Sequence, residues 1–568
     1  MKKTIILILI GIFAFLSCAN GQKRNSGNDY SDFEKASELL KEDENSKEAK
    51  KLLSEQLKRT PDHIDSYMML AGMENRIGNY SRALQLLNTA LDKNNRKSGV
   101  TDEIIHWFKG NIYESMEDYE KSILELEKAL KRADRNCPDA VRSIQQDLAN
   151  CLYRNKDLER SDEVYEAMLN SDEGDQVALV GLARNQIERD ECTEALKTLE
   201  RCSRLDDRYY ETYRFKAYAY SRIGEKRKAV DNMLDCFILS EDPDLVSFYI
   251  LSAEMDYSVA KIKELINRIE DNRSLKILLT DLYEKDHDYA NAILIYNMIE
   301  KKYGSSPSMM YYRARDLNRI GLFQDAAEEL TRCTEMEEPH YSVFAERGYS
   351  HENMGDYRKA ILDYKQVIEF SPTYAYGYYR TGLCYEMIGD LKQAMHYYNM
   401  GISIDPDYAY TYLMRGSLHM KEGDGGSANH DFESILQIDT TANRGSCRHF
   451  ALLYLEDADK AEEWLEKVIS NDPKDPGNYY DLACIRSLAG RKDGAIDALR
   501  KALELGFRRI TLIEHDNDLD SIRDDEAYKE LIRKYRNILK AEEEKMHELV
   551  LPDSGKESLQ KPVIHYKA

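Results

Sequence analysis

Glycine and proline are scarce in this sequence, 28 and 11 of 568 residues, and tryptophan occurs only twice. Sandwiches and barrels spend both residues at their many turns, so the shortage argues against a strand-based fold. An excess of positive charge is also missing, because 103 Asp and Glu oppose 80 Lys and Arg for a formal net charge of −23. Phosphate contacts need clustered Lys and Arg, so nucleic acid is not an expected partner and basic or neutral partners fit better. Ten cysteines are present, at 18, 137, 151, 192, 202, 236, 333, 384, 447 and 484, yet no two form a CxxC pair, so zinc is not indicated. Small buried apolar cysteines are the preferred reading, with disulfides the alternative. Catalytic signatures are missing too. There is no GxxxxGK[ST], HExxH or GxSxG, and His547-Glu548 lacks the second histidine of a zinc protease. The chain is expected to be no enzyme and to need no cofactor or metal.

Long apolar runs are confined to the N-terminus, where Met1-Lys2-Lys3 precedes an apolar stretch from Ile5 to Leu16. That stretch suits the core of a secretory signal and is too short to cross a bilayer. Residues 1–21 are therefore read as a signal peptide and the protein as exported to the periplasm or outer membrane. Two cleavage sites compete. Phe15-Leu16-Ser17-Cys18 resembles a bacterial lipobox, and Ala19-Asn20-Gly21 before Gln22 has the small residues of an ordinary signal-peptidase site. The lipobox is preferred for Ser17 beside Cys18, although Phe15 and Leu16 depart from its usual order. Membrane attachment would then come only through a lipid on Cys18.

What the chain does have is charge, 32% of residues, spread through a repeating pattern that suits amphipathic helices. Ala292, Ala326, Ala360, Ala394 and Ala428 stand 34 residues apart. Gly321, Gly355, Gly389 and Gly423 keep the same interval, as do Gly348, Gly382 and Gly416. A fourth column reads Tyr296, Leu330, Tyr364, Tyr398 and Phe432. The alanine slot continues upstream as Ala49, Ala83, Ser122, Ser161, Ala195 and Ala229, and downstream as Ala461 and Ala495. Spacing stretches to 39 at Ser122 and Ser161, and a shortened unit lies near Ser258. These irregularities are read as changes in loop length, which a solenoid tolerates because its contacts are local.

In order, Tyr378, Gly382, Tyr385, Gly389, Ala394, Tyr398 and Pro406 resemble the tetratricopeptide repeat, a pair of antiparallel helices carrying small and bulky residues at fixed slots. Small residues at Gly382 and Ala394 let helix backbones approach, and Pro406 ends the second helix. The resemblance covers residues 46–507, about thirteen to fourteen units, most regular over 275–440. It implies an all-α, right-handed superhelical solenoid. Residues 22–45 read as a polar tether, 508–545 as a helical cap over the last apolar face, and 546–568 as a disordered tail. Asp516, Asp518, Asp520 and Asp524 alternate as in a calcium loop, but Ser521 replaces the required Gly and Ala527 the final Glu, so a helix-capping loop is preferred.

In this family the first helices line the concave face, and the resemblance implies that a protein or peptide partner is held there. The candidate contact residues are Tyr311, Tyr312, Arg315, Tyr349, Tyr376, Tyr379, Arg380, Glu386, Tyr410 and Met414. Tyr and Arg are typical interface anchors, and Tyr376, Tyr379 and Tyr410 form a candidate ladder. The paired Lys and Asn with which chaperone-binding members clamp a C-terminal carboxylate are not found. The expected function is a non-catalytic scaffold of the bacterial envelope. Its alternative is a glycan-capture lipoprotein beside a nutrient importer, disfavoured by the regularity of the repeats and the shortage of tryptophan.

Overall fold

The computed structural model describes residues 31–550, apart from 44–45, 95–99, 135–136, 337–338, 443–444 and 456. The stretch read as a signal peptide, with Cys18, residues 22–30 of the segment read as a tether, and residues 551–568 lie outside the described residues. The fold is an all-α solenoid of fourteen successive helix pairs, from Ser31–Glu42 with Lys47–Arg59 to Pro476–Leu488 with Lys492–Glu504. Among the described residues there is no strand. The chain divides into two units, residues 1–258 and 259–568, and the division falls in the shortened pair Phe248–Ser252 and Met255–Arg268.

Two assigned boundaries change. Residues 31–42, read as tether, form a helix that buries Phe33 and Ala36 and pairs Asp32 with Arg59 of the next helix. Its polar composition hid a single apolar stripe. At the other end the helix Glu526–Val550 runs past residue 545 into the segment read as tail. Within 508–545, Ile513, Leu519, Ile522, Tyr528, Leu531, Ile532 and Tyr535 bury themselves against the last two pairs. The extra residues around Ser122 and Ser161 have two destinations. The first set lies between Lys93 and Asp102, whereas the second lengthens Pro138–Arg154 to 17 residues, where 13 or 14 is usual in this chain.

The slot columns make the core of each pair. All five alanines from Ala292 to Ala428 have no exposed surface, and Tyr364, Tyr398 and Phe432 are equally buried. Serine replaces alanine where its hydroxyl finds a facing carbonyl: Ser122 Oγ donates to Gly110 O at 2.8 Å, Ser161 to Ala149 at 2.9 Å and Ser258 to Leu251 at 2.8 Å. A buried hydroxyl is tolerated only on such terms. A further ion pair recurs with the repeat. Arg313 Nε lies 3.1 Å from Glu329, Arg347 Nε 3.1 Å from Asp363 and Arg415 Nε 2.9 Å from Asp431. The repeat between the last two has Thr381 and Tyr397 in these slots instead.

The turn inside most of the described pairs has a fixed backbone. The residue before the second helix's N-cap is left-handed, with φ of +79° at Gly355, +83° at Gly389 and +80° at Gly423. An aspartate follows, and the Asp356, Asp390 and Asp424 carboxylates accept from the backbone N–H three residues on. Four units put a side chain in the left-handed slot: Glu117, Lys156, Asp190 and His287, at φ of 59° to 64°. L-residues are disfavoured there by roughly 1–2 kcal/mol, offset in part by the chain entropy glycine loses. Glycine at any of these four positions should therefore raise the unfolding free energy, by roughly 0.5–1 kcal/mol each. Gly355→Ala should lower it by a similar amount. Urea unfolding of the single variants checks both signs.

Candidate functional site

In unit 2 the first helices bring the expected tyrosines together. Rings run in contact from Tyr341 to Tyr374 (5.3 Å), Tyr376 (5.5 Å, stacked), Tyr379 (5.4 Å, edge-on) and Tyr410 (6.0 Å, stacked), with Tyr408 beside the last two. The Arg380 guanidinium lies among Tyr349, Tyr376 and Tyr379, at 5.6, 5.3 and 5.3 Å from their centroids. Six candidates thus share one face: Tyr349, Tyr376, Tyr379, Arg380, Tyr410 and Met414, the last packed beside Tyr410 against Leu413. Tyr311 and Tyr312 meet edge-on at 5.3 Å two pairs earlier.

These residues are not equally available. Tyr379 keeps 9% of its surface, and burial pushes the Tyr376, Tyr379 and Tyr410 phenols well up from their usual range. Tyr379 is therefore part of the packing between pairs, while Tyr312 and Tyr374 remain 42% and 39% exposed. The charged candidates are already engaged. Tyr296, Tyr364 and Tyr398 each donate their hydroxyl, at 2.9 Å, to Glu284, Glu352 and Glu386 of the same pair. A cation of the next pair then closes on each acid: Arg315 on Glu284, Arg380 on Glu352 at 2.8 Å, and Lys421 on Glu386. Arg315, Arg380 and Glu386, expected to face a partner, thus work as internal ties between repeats. Within unit 2 the tie had a sequence signal: Tyr and Glu twelve residues apart occur together, and are both missing where Leu330 follows Asn318 and Phe432 follows Met420.

The C-terminal segment also enters this face. Arg509 Nη2 stands 3.7 Å from Glu352, Arg508 lies against Gly321, and the helix Glu526–Val550 packs on Tyr289–Tyr303. Asp516 caps the short helix Asn517–Leu519 through the Asp518 N–H at 3.0 Å and accepts from the Tyr480 hydroxyl, so the capping reading of this loop holds. Among the described residues one trio has metal-ligand atoms grouped within 4.8 Å of one another, Cys484, Asp516 and Asp518. The Asp518 carboxyl is raised to about 7 by burial and by Asp516. The nine described cysteines are all free thiols, and all but Cys137 are buried.

Unit 1 carries a group the sequence reading missed. On adjoining first helices, Asp102–Ser115 and Pro138–Arg154, Trp107 Nε1 donates to Asp147 Oδ2 at 2.6 Å. Asn111 lies beside that carboxyl and is 6% exposed. Burial, and then the Glu114 carboxylate, raises Asp147 to about 7; burial raises Glu114 as well, against the pull of Arg154. Trp107, Glu114 and Asp147 are half-buried, and Asn111 is buried. Trp107 and Asp147 are 40 residues apart, where the 34-residue ruler is out of step, which is why the pairing was not legible.

Comparison with known proteins identifies the repeat. Models described as tetratricopeptide repeat match residues 346–409, 105–136, 450–475 and 476–505, so the chain carries tetratricopeptide repeats at those positions. No curated protein matches the sequence. Similar solved structures include yeast Tom70, at 14% identity over 76% of this chain and 99% of the other, TM-score 0.36. Another is the Cut9-Hcn1 hetero-tetramer of the APC/C, at 14% identity, covering 90% and 96%, TM-score 0.31. A third is MamA of Desulfovibrio magneticus RS-1, at 17% identity, covering 30% and 95%, TM-score 0.28.

Proposed function

We propose that this chain is a non-catalytic scaffold of the bacterial envelope that holds a protein or peptide partner against its first-helix faces. The observation that carries the reading is the tyrosine column of unit 2, where rigid aromatic rings are held in register by repeat packing and Tyr374 stays exposed, with exposed Tyr312 two pairs before Tyr376. Such a surface binds without reorganising, so little ordering entropy opposes association. Its specificity comes from ring shape and phenol hydrogen bonds, since the Arg and Glu beside it are internally paired. Export rests on the apolar run from Ile5 to Leu16, and anchoring on a lipid at Cys18.

The test is crosslinking in living cells and purification from the envelope fraction, comparing the parent chain with Cys18→Ala and with Tyr312→Ala/Tyr374→Ala. A discrete protein partner should be captured by the parent chain, and capture should fall at least tenfold in the tyrosine variant. Because both rings are more than a third exposed, melting should stay within about 0.5 kcal/mol of the parent. Recovery of sugar-importer components alone, or undiminished capture by the tyrosine variant, would overturn the assignment. Cys18→Ala should release the chain from the membrane without loss of partner.

A further inference from the structure

We infer that the start of the helix Arg273–Lys285 in unit 2, with Arg273, Lys276 and Lys302 around it, is a binding site for a phosphate monoester, either free or carried on a lipid headgroup. The site lies on other residues than the tyrosine face and does not depend on that reading.

Lys276 carries the argument. It keeps 5% of its surface, and at successive 34-residue intervals the repeat fills the same slot with Met310, Phe344 and Tyr378, all buried in the packing of their pairs. A lysine is rarely enclosed so far unless a carboxylate pairs with it. Among the described residues the Lys276 ammonium has no hydrogen bond and no ion pair, and burial, then the Lys302 charge, lowers it from its usual range. What meets it is the Tyr303 ring, whose centroid lies 5.7 Å from Nζ, and Arg273 Cζ and Lys302 Nζ stand over the same ring at 5.8 and 5.1 Å. One ring shared by three cations compensates none of them fully. Asp271 fixes that ring by accepting its hydroxyl at 3.1 Å.

The three cations gather at a helix start. Arg273 and Lys276 stand three residues apart, on one face of the helix. Lys302 Nζ donates to the Glu270 carbonyl at 2.7 Å, in the turn that leads into that helix. The N-cap residue Asn272 turns its amide back to the Ile266 and Ile269 carbonyls, at 2.6 and 3.0 Å, so no side chain caps the first N–H groups. Uncapped donors and the positive end of the helix dipole favour an anion there. A phosphate monoester brings nearly two charges and three terminal oxygens to such a group of donors, where a carboxylate brings one charge and two oxygens. Its entry supplies the charge that the buried ammonium lacks.

The full chain carrying Cys18→Ala is titrated calorimetrically at constant ionic strength with glycerol 3-phosphate, with glycerol and with acetate. It is also sedimented with vesicles of phosphatidylcholine, with and without phosphatidic acid, where Cys18→Ala keeps a lipid anchor from contributing. Saturable binding is expected with glycerol 3-phosphate or with phosphatidic-acid vesicles, and none with glycerol. The tighter of the two arms assigns the source of the phosphate. Lys276→Met gives the slot the residue that the next pair uses, so it should weaken binding at least tenfold without lowering the urea midpoint of the unliganded chain. Arg273→Gln, at an exposed position, should weaken binding at least tenfold with the midpoint unchanged, which separates loss of the site from loss of the fold. Equal response to acetate, no binding in either arm, or undiminished binding in either variant would overturn the site. Partner capture through Tyr312 and Tyr374 would survive that outcome, so the two readings fail separately.

Discussion

Gly382→Ala is expected to destabilise unit 2 by about 2–3 kcal/mol, far more than an alanine in a helix interior would suggest. By propensity alone the change should favour the helix by roughly 0.5–1 kcal/mol. Packing reverses the sign. A Cβ at Gly382 would stand 2.5 Å from Cε1 and 2.7 Å from Cδ1 of Tyr398, and 3.2 Å from the Ala394 carbonyl oxygen. Tyr398 has no exposed surface and its hydroxyl is fixed on Glu386, so the ring has nowhere to turn. Gly348 faces Tyr364 at 2.8 Å and Gly416 faces Phe432 at 2.7 Å in the same way. The molecule also contains the compensated form: one pair carries Ala314 and Leu330 in the two slots. Gly382→Ala/Tyr398→Leu should therefore recover part of the loss, and the double-mutant cycle should show a coupling above about 0.5 kcal/mol. Additive losses would mean that the aromatic and the glycine are not matched. Since a solenoid need not unfold as one unit, hydrogen-exchange protection in 375–404 should be read beside the denaturation midpoint.

This glycine–aromatic match explains why the pair architecture could be read from spacing. Columns such as Gly348, Gly382 and Gly416 against Tyr364, Tyr398 and Phe432 record contacts within one pair, and a contact within a pair has a fixed separation in sequence. Contacts between repeats are less visible. The approach of Arg380 to Glu352 depends on how one pair is rotated against the next, so a side chain that looked free on a helix surface proved to be a tie. The tether was misread for another reason: Phe33 and Ala36 are a stripe too short to stand out in a polar segment, and only the neighbouring helix makes it a core. Longer in range still is Arg509 reaching Glu352, which follows from the path of unit 2 and has no local signature. The tyrosine face was legible as a concentration of rings, but which rings remain available was decided by packing between pairs.

The largest effect is expected at Glu352, where several of these contacts converge. Its carboxylate accepts from the Tyr364 hydroxyl at 2.9 Å and from Arg380 Nη1 at 2.8 Å, with Arg509 at 3.7 Å, and its side chain is 4% exposed. Glu352→Ala removes the one carboxylate paired with Arg380, leaving a guanidinium that keeps 13% of its surface among tyrosine rings. Breaking a buried pair on one side typically costs 3–5 kcal/mol, most of it from the stranded charge. Cation–π contact with Tyr349, Tyr376 and Tyr379 offsets a part, since each ring contributes on the order of 0.5–1 kcal/mol. The expected net loss is about 3 kcal/mol. Glu352→Gln should cost less, because the amide oxygen still accepts from Tyr364 or Arg380. Glu352→Leu/Arg380→Met should cost less than Glu352→Ala, since no unpaired charge remains. That ordering separates a stranded charge from simple loss of volume: if the double variant is the worst of the three, the pair itself stabilises unit 2 and the penalty of isolation is secondary. The same series bears on function. Arg380 holds the rings of Tyr349, Tyr376 and Tyr379 about one point, so Glu352→Ala should weaken partner capture even at temperatures where unit 2 stays folded, whereas Glu352→Gln should leave capture near the parent level.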